Sequence, residues 1–105
     1  MTAATLDEYQ ASAARTTNGA LDERQRLLDS ACGLAEEAGE VLSHVRKHVM
    51  QGRALDRDAL REELGDALWC VAMTAHGAGI TLQDVASANL AKLAARHPQG
   101  FNPPE

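Results

Sequence analysis

A helical pattern runs from about Leu21 to Met50 and stops at Gln51-Gly52, and it constrains this 105-residue chain more than any other stretch. Apolar residues Ala31, Ala35, Ala38, Leu42, Val45 and Val49 recur along it at three- and four-residue steps. That is the period of one helix face, so the stripe predicts the side turned to the core. Gly33 and Gly39 each weaken such a helix by roughly 1 kcal/mol relative to Ala. They predict either close packing of another element or a break near Gly33.

The rest of the chain reads as further helices. Leu6 to about Arg15 is helix-compatible, with residues 1–5 frayed before it, and Thr16-Thr17-Asn18-Gly19 ends it with turn chemistry. Asp56 or Asp58 can cap a helix from about Arg57 to Ala78, stopped by Gly77 or Gly79. Thr81-Leu82-Gln83-Asp84 resembles a capping box opening a last helix to about Arg96. Pro98, Gly100, Pro103 and Pro104 end regular structure. No strand alternation or repeat stands out. The expected fold class is all-α, a bundle of about four helices forming a single domain over residues 1–105.

Composition narrows what such a bundle can do. With one Trp, one Tyr and one Phe, Ala, Leu and Val must fill the interior, and each alanine buries little area. Association with further copies is the natural remedy, and the nearly all-apolar run 67–75 should be shielded by another helix. The net charge of −5 argues against a nucleic-acid polymer as partner, which needs a basic surface. Cys32 and Cys70 form no CxxC pattern; one disulfide is open to them, but core thiols in a reducing cytoplasm are the commoner reading. No signal-like N-terminus or membrane-spanning run is present, so the expected location is the cytoplasm, with no membrane partner.

The acidity is local. Glu36-Glu37-Ala38-Gly39-Glu40 lies on the long helix and Glu62-Glu63-Leu64-Gly65-Asp66 on the next. Glu37 with Glu40, and Glu63 with Asp66, are three residues apart and so neighbours on a helix surface. Setting these four aside leaves 11 acids against 10 bases. By helical phase Glu40 falls nearly opposite the apolar stripe and Glu37 toward its flank. Glu63 and Asp66 share a side with Cys70 and Met73, at the mouth of an apolar face where unpaired charge is costly. A basic partner would satisfy them structurally. If the two helices pack together, four carboxylates converge, and such a cluster repels itself unless a cation sits within it. All-oxygen ligation suits a hard ion such as Mg²⁺.

The pattern EExxE followed by ExxD resembles the all-α nucleotide pyrophosphohydrolases of the MazG type. So do the segments Gly33 to Glu40 and Glu63 to Trp69, and the tail around Asn89, Lys92 and Arg96-His97-Pro98-Gln99-Gly100-Phe101. The resemblance covers about residues 27–101. It implies Mg²⁺-dependent hydrolysis of a nucleoside triphosphate between the α and β phosphates, with Mn²⁺ able to substitute, giving monophosphate and pyrophosphate in nucleotide-pool cleaning. Carried over by motif position, Glu37, Glu40, Glu63 and Asp66 are the metal ligands and Glu36 a candidate general base. Asn89, Lys92 and Arg96, one polar stripe on the last helix, are candidate substrate contacts. The resemblance also implies a homodimer or a dimer of dimers, with pockets beside the subunit interface.

Other residues offer less. His44 and His48 read as surface histidines, and His76 and His97 form no constellation. Trp69, one turn after Asp66, can stack on a base or simply fill the core. Arg46, Lys47 and Arg53 complement the dipole at the end of the long helix and can also meet a triphosphate. Tyr9 and Gln10 are candidate contributors to base specificity. The competing reading is a non-catalytic helical interaction module whose acids hold a structural metal or merely solvate a face.

Overall fold

The computed structural model describes residues 5–101, which form four helices: α1 (Leu6–Ala14), α2 (Glu23–Gln51), α3 (Arg57–Gly77) and α4 (Leu82–Arg96). The fold is all-α. The ends expected from Pro103 and Pro104, and the fraying expected of residues 1–4, lie outside the described residues. Thr5, expected to be frayed, is instead the cap of α1, its side chain accepting from the Glu8 amide at 3.0 Å.

Each helix starts on a side-chain oxygen that satisfies an amide the first turn leaves unpaired. Asp22 and Gln25 cap α2 reciprocally, Asp56 accepts from Ala59 N, and Thr81 accepts from Asp84 N. At the other end of α2, Gly52 takes the left-handed conformation at φ 66° that stops the helix.

Helix α3 is the hub, packing on α1, α2 and α4, whereas among the described helices α2 packs on α3 alone. The α2–α3 seam is antiparallel and can be followed pair by pair from the turn between them. His44 stands by Glu63, Gly33 by Cys70, Ser30 by Thr74 and Leu27 by Gly77. Helix α2 does not break at Gly33. A β-carbon there would come within 2.9 Å of the Cys70 sulfur, so the close packing expected of this glycine is the reason for it. Gly39 has open space around it.

The face of α2 that packs is not the one the apolar stripe marked. Ala31, Ala35, Ala38, Leu42, Val45 and Val49 are all exposed. The covered positions include Leu27, Ser30, Gly33, Leu34, Glu37, Val41 and His44. Small and polar residues let the two helices approach closely, so apolarity alone picks the wrong side. Cys32 likewise is exposed and no core thiol, while Cys70 is buried.

Gln10 ties α1 to α3 and to the start of α4. Buried at 7% exposure, it donates to the carbonyls of Ala72 and Ile80, and its own carbonyl accepts from Leu82 N. All its polar atoms serve the backbone, so the specificity role expected of it is not available. Asp7 adds a second tie, accepting from Gln83 N at the start of α4.

The buried apolar residues are few and mostly small: Ala13, Cys70, Ala72, Met73, Ala75 and Leu82. Leu28, Leu42, Val49, Leu90 and others remain exposed. The radius of gyration, 16.5 Å, exceeds the ~13 Å usual for a compact chain of about 100 residues. Among the described residues a long apolar face of α2 is left without a partner.

Candidate metal centre and its surroundings

Halfway along the α2–α3 seam the packed faces carry charge. One carboxylate oxygen from each of Glu37, Glu63 and Asp66 lies within 4.8 Å of the others. Glu37 sits on the covered side of α2, half-buried rather than on a flank, because that side is the one turned to α3. Its Oε2 is fully covered and has no hydrogen-bond partner among the described residues. Glu63 is half-buried and Asp66 exposed.

The crowding is felt in the titration of Glu37. Its pKa rises from 4.5 to about 7, first through a shared hydrogen bond with Glu63, then through desolvation and the charges of Glu63, Asp66 and Glu40. The same charges reach beyond the cluster. Burial foremost, then Glu37, Asp66, Asp29 and Glu36, push the Cys70 thiol up. Burial, Asp66 and Cys70 do the same to Tyr9, which places α1 beside the cluster.

Neither Glu40 nor Glu36 is in the group of three, and both are exposed. Glu40 is near enough for its charge to act on Glu37. His44, read as a surface histidine, is instead half-buried with Nε2 3.8 Å from Glu63 Oε1. The only hint in the sequence was its four-residue step from Glu40. His48 does stay at the surface, its Nδ1 2.6 Å from the Arg53 carbonyl at the end of α2.

Two residues of the α4 polar stripe line a groove away from the carboxylates. Asn89 and Lys92 line an apolar groove with Leu6, Leu68 and Val85. Leu68 is two residues beyond Asp66, about 200° around the helix, so this groove lies on the far side of α3. Arg96 is exposed at the end of α4. Arg46 and Lys47 line a shallow depression on the outer side of α2 with Leu42 and Ser43.

The arrangement fits a divalent cation. Three carboxylates that repel, one with a covered oxygen lacking any partner, form a donor set of hard oxygens. No Lys or Arg is paired with them: among the described residues the one basic side chain within 4.0 Å of them is His44, at 3.8 Å from Glu63.

The chain matches the model of the MazG nucleotide pyrophosphohydrolase domain over residues 25–101. It is also 34% identical over 103 residues to the Gene 37 protein of Mycobacterium phage L5, an alignment covering 90% of each chain. No solved structure matches. No helix among the described residues is long and apolar enough to cross a membrane. With its acidic motifs brought together on the paired helices α2 and α3, the chain belongs to the MazG nucleotide pyrophosphohydrolase family.

Proposed function

We propose that the protein is a Mg²⁺-dependent nucleoside triphosphate pyrophosphohydrolase that cleaves between the α and β phosphates, acting in the cytoplasm to clear nucleotide pools. The observation that carries this reading is the three-carboxylate cluster with its unpartnered Glu37 oxygen, in a chain of this family.

Glu37, Glu63 and Asp66 would hold the ion, with Glu40 one turn along α2 as the fourth donor. A bound Mg²⁺, or Mn²⁺ in its place, supplies charge neutralisation at the phosphates and a more acidic water. The protein's own work is then positioning and proton transfer. Glu36 neighbours a ligand in sequence but points about 100° away from it, as a base needs to. It takes a proton from the attacking water. The water oxygen bonds to phosphorus as the α–β bridge breaks, and pyrophosphate leaves with the bridging electrons.

Asn89 and Lys92, which line the groove beside Leu68, would contribute from α4 of a second protomer, with Arg96 beyond them on the same helix. A homodimer, or a dimer of dimers, would also cover the apolar face of α2. The test is incubation with a panel of nucleoside triphosphates and Mg²⁺, with the products identified. Monophosphate and pyrophosphate are expected. No turnover with any triphosphate would leave the non-catalytic interaction module standing.

A further inference from the structure

Past the Gly33–Cys70 contact, the groove between α2 and α3 opens into a cavity of about 290 Å³. Ser30 is two turns from Glu37 on α2, and Met73 two turns from Asp66 on α3. Seven residues advance a helix by ~10 Å, so the cavity begins about one ribose-and-phosphate length from the carboxylates and on the same faces.

Its chemistry differs from theirs. Leu27, Trp69 and Met73 supply apolar and aromatic surface. Trp69 is held in place, its indole N–H donating to Thr16 Oγ1 at 2.9 Å. That hydroxyl in turn donates to the Ala13 carbonyl. Polar groups stand at the border: Asn18 on the α1–α2 turn, Asp29 on α2 and His76 on α3. Arg26 is the one permanent cation, it already donates to the Leu21 carbonyl, and Glu23 and Asp29 offset it. A phosphate would find no surplus of positive charge here. A neutral, flat heterocycle with hydrogen-bonding edges fits such a lining, since an aromatic wall stacks on its face and side chains read its edge.

We infer that this cavity receives the nucleobase of the substrate, with Trp69 and Met73 against its face and Asp29 selecting bases that carry an exocyclic amino group. An ionised carboxylate only accepts hydrogen bonds. Asp29 therefore pairs with the amino group of cytosine, adenine or guanine and opposes the carbonyl that uracil presents where cytosine has its amino group.

This rests on the proposed activity, but base binding can be read without turnover. Trp69 is the only tryptophan in the chain, so one indole N–H resonance reports on the cavity. Cytidine and adenosine should shift it, and uridine should bind about tenfold more weakly, the loss of roughly one hydrogen bond. Asp29→Asn should erase that difference while leaving the Mg²⁺ titration unchanged. Mg²⁺ with inorganic tripolyphosphate should leave the indole signal in place. A shift from tripolyphosphate as large as from nucleosides, or no shift from any nucleoside, would overturn the inference. Equal binding of uridine and cytidine would remove the role of Asp29. Turnover of triphosphates with an unmoved indole sinks the cavity and spares the enzyme. A shifted indole without turnover does the opposite.

Discussion

Gly33 and Cys70 meet so closely that a β-carbon on the glycine would stand 2.9 Å from the cysteine sulfur. The contact sets the spacing of α2 and α3 between the carboxylates and the cavity. Gly33→Ala gains about 1 kcal/mol of helix propensity but forces the buried sulfur aside, an overpacking cost of typically 1–3 kcal/mol. The single variant should be destabilised in chemical denaturation. In a Cys70→Ala background the same substitution should stabilise. A stabilised Gly33→Ala single variant would show that the helices are not in contact there.

The pH dependence of the metal-free protein follows from Glu37. Its folded pKa, about 7, lies above the ordinary 4.5, so folding favours the protonated carboxyl. The stabilisation from that proton is complete below about 4.5 and is lost as pH rises through about 7. Melting temperature should fall across this window, and Glu37→Gln should flatten that part of the profile. Mg²⁺ should act in the opposite sense, stabilising most at high pH, where the ligands are ionised. A Glu37→Gln profile parallel to that of the parent would remove Glu37 as the cause.

Asp66 tests the ligand set. Mg²⁺ should raise the melting temperature by binding the native state, and Asp66→Asn should remove most of that increment along with activity. The metal-free Asp66→Asn protein should melt no lower than the parent, because one repelling charge is gone. An undiminished Mg²⁺ increment would exclude Asp66.

Glu36 separates proton transfer from ligation. Glu36→Gln should bind Mg²⁺ and nucleotide normally while turnover falls roughly 10²–10⁴-fold, the range of a positioned acid–base group. Glu37→Gln should weaken metal binding itself. Full activity of Glu36→Gln at every pH would assign it to the solvated surface.

The uncovered face of α2 predicts association. Leu42, 62% exposed, and Val49, 67% exposed, lie on one apolar stripe, and contiguous exposed apolar surface of this kind marks an association site. Sedimentation should give a dimer or tetramer, and Leu42→Glu should shift it toward monomer with lower stability. A folded monomer of the parent at micromolar concentration would refute this.

The helices could be read from the sequence because their signals are local. Asp56, Thr81 and Gly52 mark ends by their own chemistry. The meeting of Glu37 with Glu63 and Asp66 was legible in part, since i, i+3 spacing fixes each pair and only the helix packing had to be supplied. Which side of α2 packs was not legible. The seam is chosen by how closely Ser30, Gly33 and Gly77 let the helices approach, while the more apolar stripe is left outward. The approach of His44 to Glu63 and the clasp made by Gln10 depend on register between distant elements. No local pattern encodes either.

The Gln10 clasp has a consequence for the order in which the protein assembles itself. The α2–α3 seam can zip outward from its turn, each pair shortening the loop for the next. Gln10, by contrast, bonds to groups 62, 70 and 72 residues away, and loop closure over such distances is paid late in a folding reaction. Helix α1 is therefore expected to dock after the transition state, onto a hairpin already formed. Gln10→Ala should accelerate unfolding in stopped-flow measurements and leave the folding rate nearly unchanged. The first helix would then be the first to leave, opening the side of the cluster where Tyr9 sits before the carboxylates themselves come apart.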